Sequence, residues 1–104
     1  MAEVVWTRPS QQQLREIRRF IARDSERYAQ LTVERIQNTV RRLEEFPQSG
    51  RTVPEVDGTP YREVIAGSYR AVYRYDQASN RVFVVAIVHD SRQLPPLSNG
   101  PASG

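Results

Sequence analysis

The only histidine of the chain, His89, stands at the end of an apolar segment. Histidine changes its charge near neutral pH, so this side chain could serve as a general acid or base. The alternative is a histidine at a strand end that forms a hydrogen bond with a loop. Because the chain has one histidine and no cysteine, we expect no metal site and no cofactor.

An arginine and a glutamate could act together with this histidine. Arg70 lies in a segment of alternating residues, where a fixed positive charge could stabilise an oxyanion or a phosphorane. It could equally form an ion pair with Glu63 across a sheet. Glu55 lies in an irregular, proline-containing connection, and it could act in catalysis or be a surface carboxylate. Arg51 in the same connection could bind phosphate or cap a preceding helix.

Two amphipathic helices precede these residues. A short strand at Val4–Thr7 comes first, and Pro9 suits the first turn of a helix that extends to about Arg23. Ser25 is a candidate N-cap for a second helix, which Pro47 ends. The apolar residues at steps of three and four are Leu14, Ile17 and Ile21, and then Ala29, Val33, Ile36, Val40 and Leu43. The short connection predicts an antiparallel helical hairpin.

After the helices the hydrophobic pattern changes to a period of two, which is typical of strands. The predicted strands are about Tyr61–Ala66, Tyr69–Asp76 and Arg81–His89. Gly67-Ser68 predicts a hairpin loop with a type II′ turn, and Gln77–Asn80 forms a longer second loop. The predicted fold class is α+β, with an N-terminal strand, a two-helix antiparallel hairpin and a three-strand antiparallel meander.

The loop lengths also predict two cross-strand pairs, Ala66 with Tyr69 and Asp76 with Arg81. Without a bulge, Arg70 then lies opposite Ile87 and diagonal to His89, at about 7–8 Å on one sheet face. We expect this face to stay open to a ligand, while the helices cover the face rich in valine and alanine. A bulge would separate Arg70 from His89 across the sheet.

The length and charge limit the classes of protein and partner. The chain has 104 residues, so we assign residues 1–97 to a single domain and residues 98–104 to a flexible tail. The net charge is +3, and all 15 basic residues are arginine. Arginine binds phosphate and carboxylate in a bidentate manner, which suits RNA, DNA or an acidic protein. A bias towards arginine codons is the alternative explanation for the missing lysine.

No segment predicts a membrane or secretory location. The longest apolar run, Val82–Val88, is far shorter than the about 20 residues that span a bilayer. The N-terminal residues lack the basic and apolar regions of a secretory signal. We therefore expect a cytoplasmic protein without a membrane partner.

Three groups of residues taken together resemble the RelE/ParE superfamily of bacterial type II toxins. They are Phe46-Pro47-x-Ser49-Gly50-Arg51-x-Val53-Pro54-Glu55, then Tyr61-Arg62-Glu63-Val64 with Gly67-Ser68-Tyr69-Arg70-x-Val72-Tyr73-Arg74, and finally Val88-His89-x-x-Arg92-x-Leu94-Pro95. The resemblance covers about residues 4–95, and the predicted order of elements agrees with it. It implies that a cognate antitoxin binds the chain and silences it.

The resemblance implies one of two activities. Members similar to RelE and YoeB bind the ribosomal A site and cut mRNA. ParE-like members inhibit DNA gyrase and are not known as nucleases. From the sequence we favour a ribosome-dependent mRNA endoribonuclease, with gyrase inhibition as the alternative and an inert or adaptor scaffold as a third hypothesis.

For the nuclease hypothesis, the resemblance implies a metal-free transesterification. Glu55 would take the proton of a ribose 2′-hydroxyl, Arg70 would stabilise the phosphorane, and His89 would protonate the leaving 5′-oxygen. The other arginines expected to bind RNA phosphates are Arg51, Arg62, Arg74 and Arg92. The chain departs from the nuclease pattern because it lacks lysine, and because Asp90 rather than an aromatic residue follows the histidine.

Overall fold

The computed structural model describes residues 1–92 and residue 94. Its elements in chain order are β1 (Glu3–Trp6), α1 (Arg8–Ala22), α2 (Glu26–Arg41), β2 (Arg51–Thr52), β3 (Tyr61–Ala66), β4 (Tyr69–Asp76) and β5 (Arg81–His89). The predicted α+β architecture is confirmed, and the expected tail at residues 98–104 lies outside the described residues. Neither described helix is long and apolar enough to cross a membrane.

All five strands form one sheet in the order β1-β5-β4-β3-β2. β1 runs parallel to β5, and the other neighbouring strands are antiparallel. Gly67 has a φ of 62°, the left-handed conformation that the predicted hairpin turn requires at its first position. β2 was not predicted, because two residues are too few to show an alternating pattern.

Side-chain caps set the start of both helices. The hydroxyl of Thr7 accepts a hydrogen bond from the Ser10 amide at 3.4 Å, and the hydroxyl of Ser25 accepts one from the Tyr28 amide at 3.1 Å. The predicted cap at Ser25 is thus confirmed. α2 ends at Arg41, and a tighter 3₁₀ turn follows it at Arg42–Glu44. The α-helix therefore ends several residues before Pro47, which was predicted to end it.

Apolar side chains pack on both faces of the sheet. The helix face, which α1 and α2 cover, buries Ile36, Val40, Leu43, Ala71, Tyr73, Val82, Val84 and Ile87. The back face buries Val53, Tyr61, Val72, Phe83, Val85 and Ala86, with Val5, Val56 and Leu94 packed against them. Our expectation of an open back face is therefore wrong, because the segment that follows β2 folds over it.

A β-bulge changes the faces of the last strand. The predicted pairs at both loops are confirmed, but Val72 pairs with Ala86 while Tyr73 pairs with Val84, which leaves Val85 as an extra residue. Beyond this bulge every β5 side chain lies on the face opposite to the predicted one.

The bulge separates the two residues that we expected on one face. Arg70 pairs with Val88 rather than Ile87, and His89 pairs with Tyr69. Since Tyr69 belongs to the helix face, His89 lies on that face and Arg70 on the back face. The predicted diagonal neighbourhood of Arg70 and His89 is wrong.

Candidate functional site

Four charged side chains form a connected network on the back face: Arg51, Glu55, Glu63 and Arg70. Glu63 has no exposed side-chain surface; its Oε1 accepts from Arg70 Nη1 at 2.9 Å and its Oε2 accepts from Arg51 Nε at 2.6 Å. Arg70 also binds both oxygens of Glu55, with Nη1 to Oε1 at 3.0 Å. The alternative prediction, an Arg70–Glu63 ion pair, is therefore confirmed.

The strand register places this network. β2 pairs with β3 so that Arg51 lies directly opposite Glu63. On the other side of β3, Glu63 pairs with Val72 of β4, so Arg70 is its diagonal neighbour on the same sheet face. Glu55 reaches the network from the 3₁₀ turn Pro54–Val56. The carbonyl of Arg92 accepts a further hydrogen bond from Arg70 Nη2 at 2.8 Å, which ties the segment after β5 to the sheet.

Burial makes these contacts obligatory for the fold. The side chains of Arg70 and Glu63 are 6% and 0% exposed, so each charge has lost nearly all of its hydration. A buried charge is tolerated only while hydrogen-bonded partners of opposite sign replace that water. Two arginines and two glutamates balance one another. Both terminal nitrogens of Arg70 are bonded to carboxylate or carbonyl oxygens, and its buried Nε alone has no hydrogen-bond partner among the described residues.

The same contacts change the proton affinity of Glu55. The hydrogen bonds from Arg70 lower the pKa of Glu55 from 4.5 to about 2, and the same pairing raises the pKa of Arg70. A general base works best when its pKa lies near the working pH. At neutral pH Glu55 is therefore a stable carboxylate suited to ion pairing, and a poor acceptor for the proton of a hydroxyl.

His89 is held by the loop that follows it. Its Nδ1 lies 2.7 Å from the hydroxyl of Ser91 and accepts the Ser91 amide at 3.2 Å. The ring also packs against the ring of Tyr69 in a T-shaped arrangement, with a centroid separation of 5.4 Å. Because the amide donates to Nδ1, the proton of the neutral ring is on Nε2. The alternative prediction of a strand-end histidine bonded to a loop is confirmed.

A groove on the helix face adjoins His89 and has a volume of about 630 Å³. It runs between α1 and the end of β5 and is lined by Gln13, Glu16, Ile17, Phe20, Tyr69, Ile87, Val88, His89, Arg92 and Leu94. Most of this lining is apolar, and Phe20 is 67% exposed. The sequence did not predict this groove, because it is assembled from a helix and a strand far apart in the chain.

The four arginines predicted to bind phosphate do not form a single cluster. Arg51 pairs with Glu63, and Arg62 donates to the Gly50 carbonyl at 2.9 Å. Arg74 stacks over Phe83 at 4.7 Å, and Arg92 is one of the residues that line the groove. Among the described residues no group of three histidine or acidic side chains could hold a metal ion.

Gly50 permits the close packing that supports the network. Its amide donates to the buried hydroxyl of Tyr73 at 2.9 Å. A Cβ at this position would lie 2.6 Å from the Glu63 carbonyl oxygen and 2.7 Å from the Tyr73 ring. Glycine is therefore required for β2 to reach β3, and the Ser49-Gly50-Arg51 part of the family pattern has a structural explanation.

We expect the Glu63→Gln substitution to lower the free energy of unfolding by about 3–5 kcal/mol, because it leaves the buried Arg70 charge incompletely paired. Urea denaturation of the purified chain measures this loss. Glu3→Gln is the matched control: it breaks an exposed ion pair with Arg81 and should cost at most about 1 kcal/mol. Equal losses in the two variants would contradict a structural role for the network.

The pKa of Glu55 predicts a pH dependence of stability. Its pKa is lower in the folded chain, so its contribution is complete above the ordinary value of 4.5 and is lost as the pH falls towards about 2. The Glu55→Gln variant should lose less stability over this acid range than the wild type. Parallel urea titrations at a series of pH values test this, and identical slopes would contradict it.

The fold and sequence can be compared with those of known proteins. A solved structure described as the chromosomal ParDE TA system from P. aeruginosa has a TM-score of 0.70 and 18% sequence identity. That alignment covers 86% of this chain and 96% of the other. No curated protein gives a significant match. The sequence model for the ParE toxin of the type II toxin–antitoxin system, parDE, matches residues 4–94, and the chain therefore belongs to the ParE toxin family.

Proposed function

We propose that this ParE-family toxin inhibits DNA gyrase by binding to it and does not cut mRNA. The observation that carries the proposal is the bulge in β5, which puts Arg70 and His89 on opposite faces of the sheet. A nuclease mechanism needs acid, base and phosphate ligand around one reacting group. Gyrase inhibition is the usual activity of ParE-like toxins, whereas the sequence alone had favoured the nuclease.

The state of the individual residues supports the same conclusion. Glu55 is bound by Arg70 and has a pKa of about 2, which disfavours the role of base. Arg70 is buried and already binds two carboxylates, which leaves it unable to stabilise a phosphorane. We assign both residues, together with Arg51 and Glu63, to the stability of the toxin.

The groove beside His89 has the character of a protein-binding surface. Aromatic and aliphatic side chains dominate it, as they dominate the centres of protein interfaces. RNA binding relies on a concentration of positive charge, and here Glu16 accompanies Arg92 and His89. We place the gyrase contact in this groove, and in the cell the proposed target puts the toxin in the cytoplasm.

A type II toxin has a cognate antitoxin, and that partner fits the same proposal. Covering the groove, or changing its shape, would prevent contact with gyrase. The antitoxin therefore needs no access to the charge network in order to silence the toxin. This differs from the nuclease hypothesis, in which inhibition requires a block at Glu55, Arg70 or His89.

We expect the purified toxin to inhibit DNA supercoiling by gyrase, with Phe20→Asp weakening this inhibition by about tenfold or more. A charge at this exposed groove position opposes the burial of apolar surface. Phe46→Asp is the matched control, because Phe46 is 57% exposed but does not line the groove, and it should stay within about twofold of the wild type. Supercoiling assays over a range of toxin concentrations provide the measurement.

A substitution of His89 distinguishes gyrase inhibition from mRNA cleavage. His89→Gln changes one polar side chain of the groove, so we expect it to weaken gyrase inhibition by at most about tenfold; it should still arrest growth when expressed without antitoxin, since no proton transfer is involved. The proposal would be overturned if His89→Gln abolished toxicity and the wild type produced mRNAs truncated at the ribosomal A site.

A further inference from the structure

A row of exposed arginines runs along the solvent side of α1 and its C-cap residue. They follow one another at steps of seven, four and four residues, and a helix with about 3.6 residues per turn brings such positions to one side. This arginine stripe consists of Arg8, Arg15, Arg19 and Arg23. Ser10, Leu14 and Ile17 face the core from the opposite side of the helix. At a rise of about 1.5 Å per residue, the stripe is about 22 Å long.

The arginine stripe is not neutralised by the rest of the described chain. Within residues 1–92 and residue 94, none of its four guanidinium groups forms an ion pair or a side-chain hydrogen bond. Arg18, the other exposed arginine of α1, lies on a different side and pairs with Glu26 at 3.4 Å. The exposed side of α2 mixes both signs, with Arg27, Glu34 and Arg41. The stripe is therefore a local concentration of one charge.

This placement of charge is unfavourable for the helix itself. Arg8 is the first residue of α1, where the partial positive charge of the helix N-terminus repels a cation, and the first turn has no acidic residue. Arg15 and Arg19 are like charges four residues apart, as are Arg19 and Arg23, and such pairs repel each other. The helix C-terminus attracts Arg19 and Arg23 but does not account for Arg8 and Arg15. A bound polyanion would relieve these repulsions.

We propose that the arginine stripe binds the phosphate backbone of duplex DNA. A DNA strand carries a phosphate at about every 3.4 Å of its axis, so a stripe of this length can meet one phosphate with each arginine. Arginine binds phosphate oxygens in a bidentate manner. The stripe has no aromatic side chain on which to stack the bases of a single strand. It also has no large apolar side chain that could anchor a protein partner.

The position of the groove beside His89 gives the reason for choosing DNA. The α1 residues that line this groove include Glu16 and Phe20, and the helical period places them between the core side and the arginine stripe. A protein seated in the groove therefore adjoins the stripe. This step rests on the proposed function, since gyrase holds duplex DNA while it changes the supercoiling of that DNA.

Fluorescence anisotropy of a labelled duplex of arbitrary sequence, titrated with the full-length toxin, tests the proposal without gyrase. The logarithm of the association constant should fall with the logarithm of the salt concentration with a slope of about −3 to −4. Replacing two arginines of the stripe, in Arg15→Gln/Arg19→Gln, should reduce the steepness of this slope by about two and weaken binding at about 50 mM salt by tenfold or more.

The matched control removes the same charge elsewhere. Arg35 and Arg42 are also exposed and belong to α2 and its C-cap, so Arg35→Gln/Arg42→Gln should bind the duplex within about threefold of the wild type. Equal losses in the two double variants would overturn the proposal, because binding would then follow net charge alone. Absence of duplex binding by the wild type at about 50 mM salt would also overturn it.

Competition distinguishes duplex DNA from other polyanions. Unlabelled duplex should displace the labelled duplex more effectively than single-stranded RNA of the same length or polyglutamate of the same charge. Equal or better displacement by either competitor would overturn the proposal. Supercoiling assays with the same toxin preparation keep the two proposals apart: stripe-dependent duplex binding by a toxin that leaves gyrase active would support this inference and contradict the proposed function.

Discussion

Glu63 is a carboxylate with no exposed surface, and the fold tolerates its charge only while Arg51 and Arg70 remain bonded to it. This requirement explains much of the local structure. Arg51 must lie on a strand paired with β3, so Gly50 has to approach the Glu63 carbonyl and the Tyr73 ring without a side chain. Arg70 in turn holds Glu55 and the backbone of Arg92, which closes the back face.

Because of the bulge in β5, the two faces of the sheet carry different sets of candidate functional residues. The back face contains the balanced charges and a buried apolar layer, and we propose that its role is structural. The helix face carries His89 and an apolar groove beside α1, which is the surface that we propose to bind gyrase. One extra residue in one strand thus separates the residues that a nuclease would need together.

Most of the fold could be predicted from the sequence, because the helices and strands have clear periodicities and the two hairpin loops fix their adjacent pairs. The bulge could not be predicted, since residues 82–88 are uniformly apolar and show no alternation that a shift would disturb. The roles of Arg70 and His89 stayed open for a related reason. An arginine beside a glutamate suits an ion pair and an active site equally, and the burial that favours the ion pair is not visible in the sequence.

A double-mutant cycle on Glu63 and Arg70 tests the structural role of the network most directly. Glu63→Leu leaves the buried Arg70 with Glu55 as its one carboxylate partner, and Arg70→Met leaves the buried Glu63 with Arg51 as its one cationic partner. The double variant removes both buried charges and leaves Arg51 and Glu55, which retain contact with solvent. We predict a coupling of about 1.5–3 kcal/mol in urea denaturation, with the double variant more stable than either single variant. Single variants as stable as the wild type but without toxicity would contradict the account.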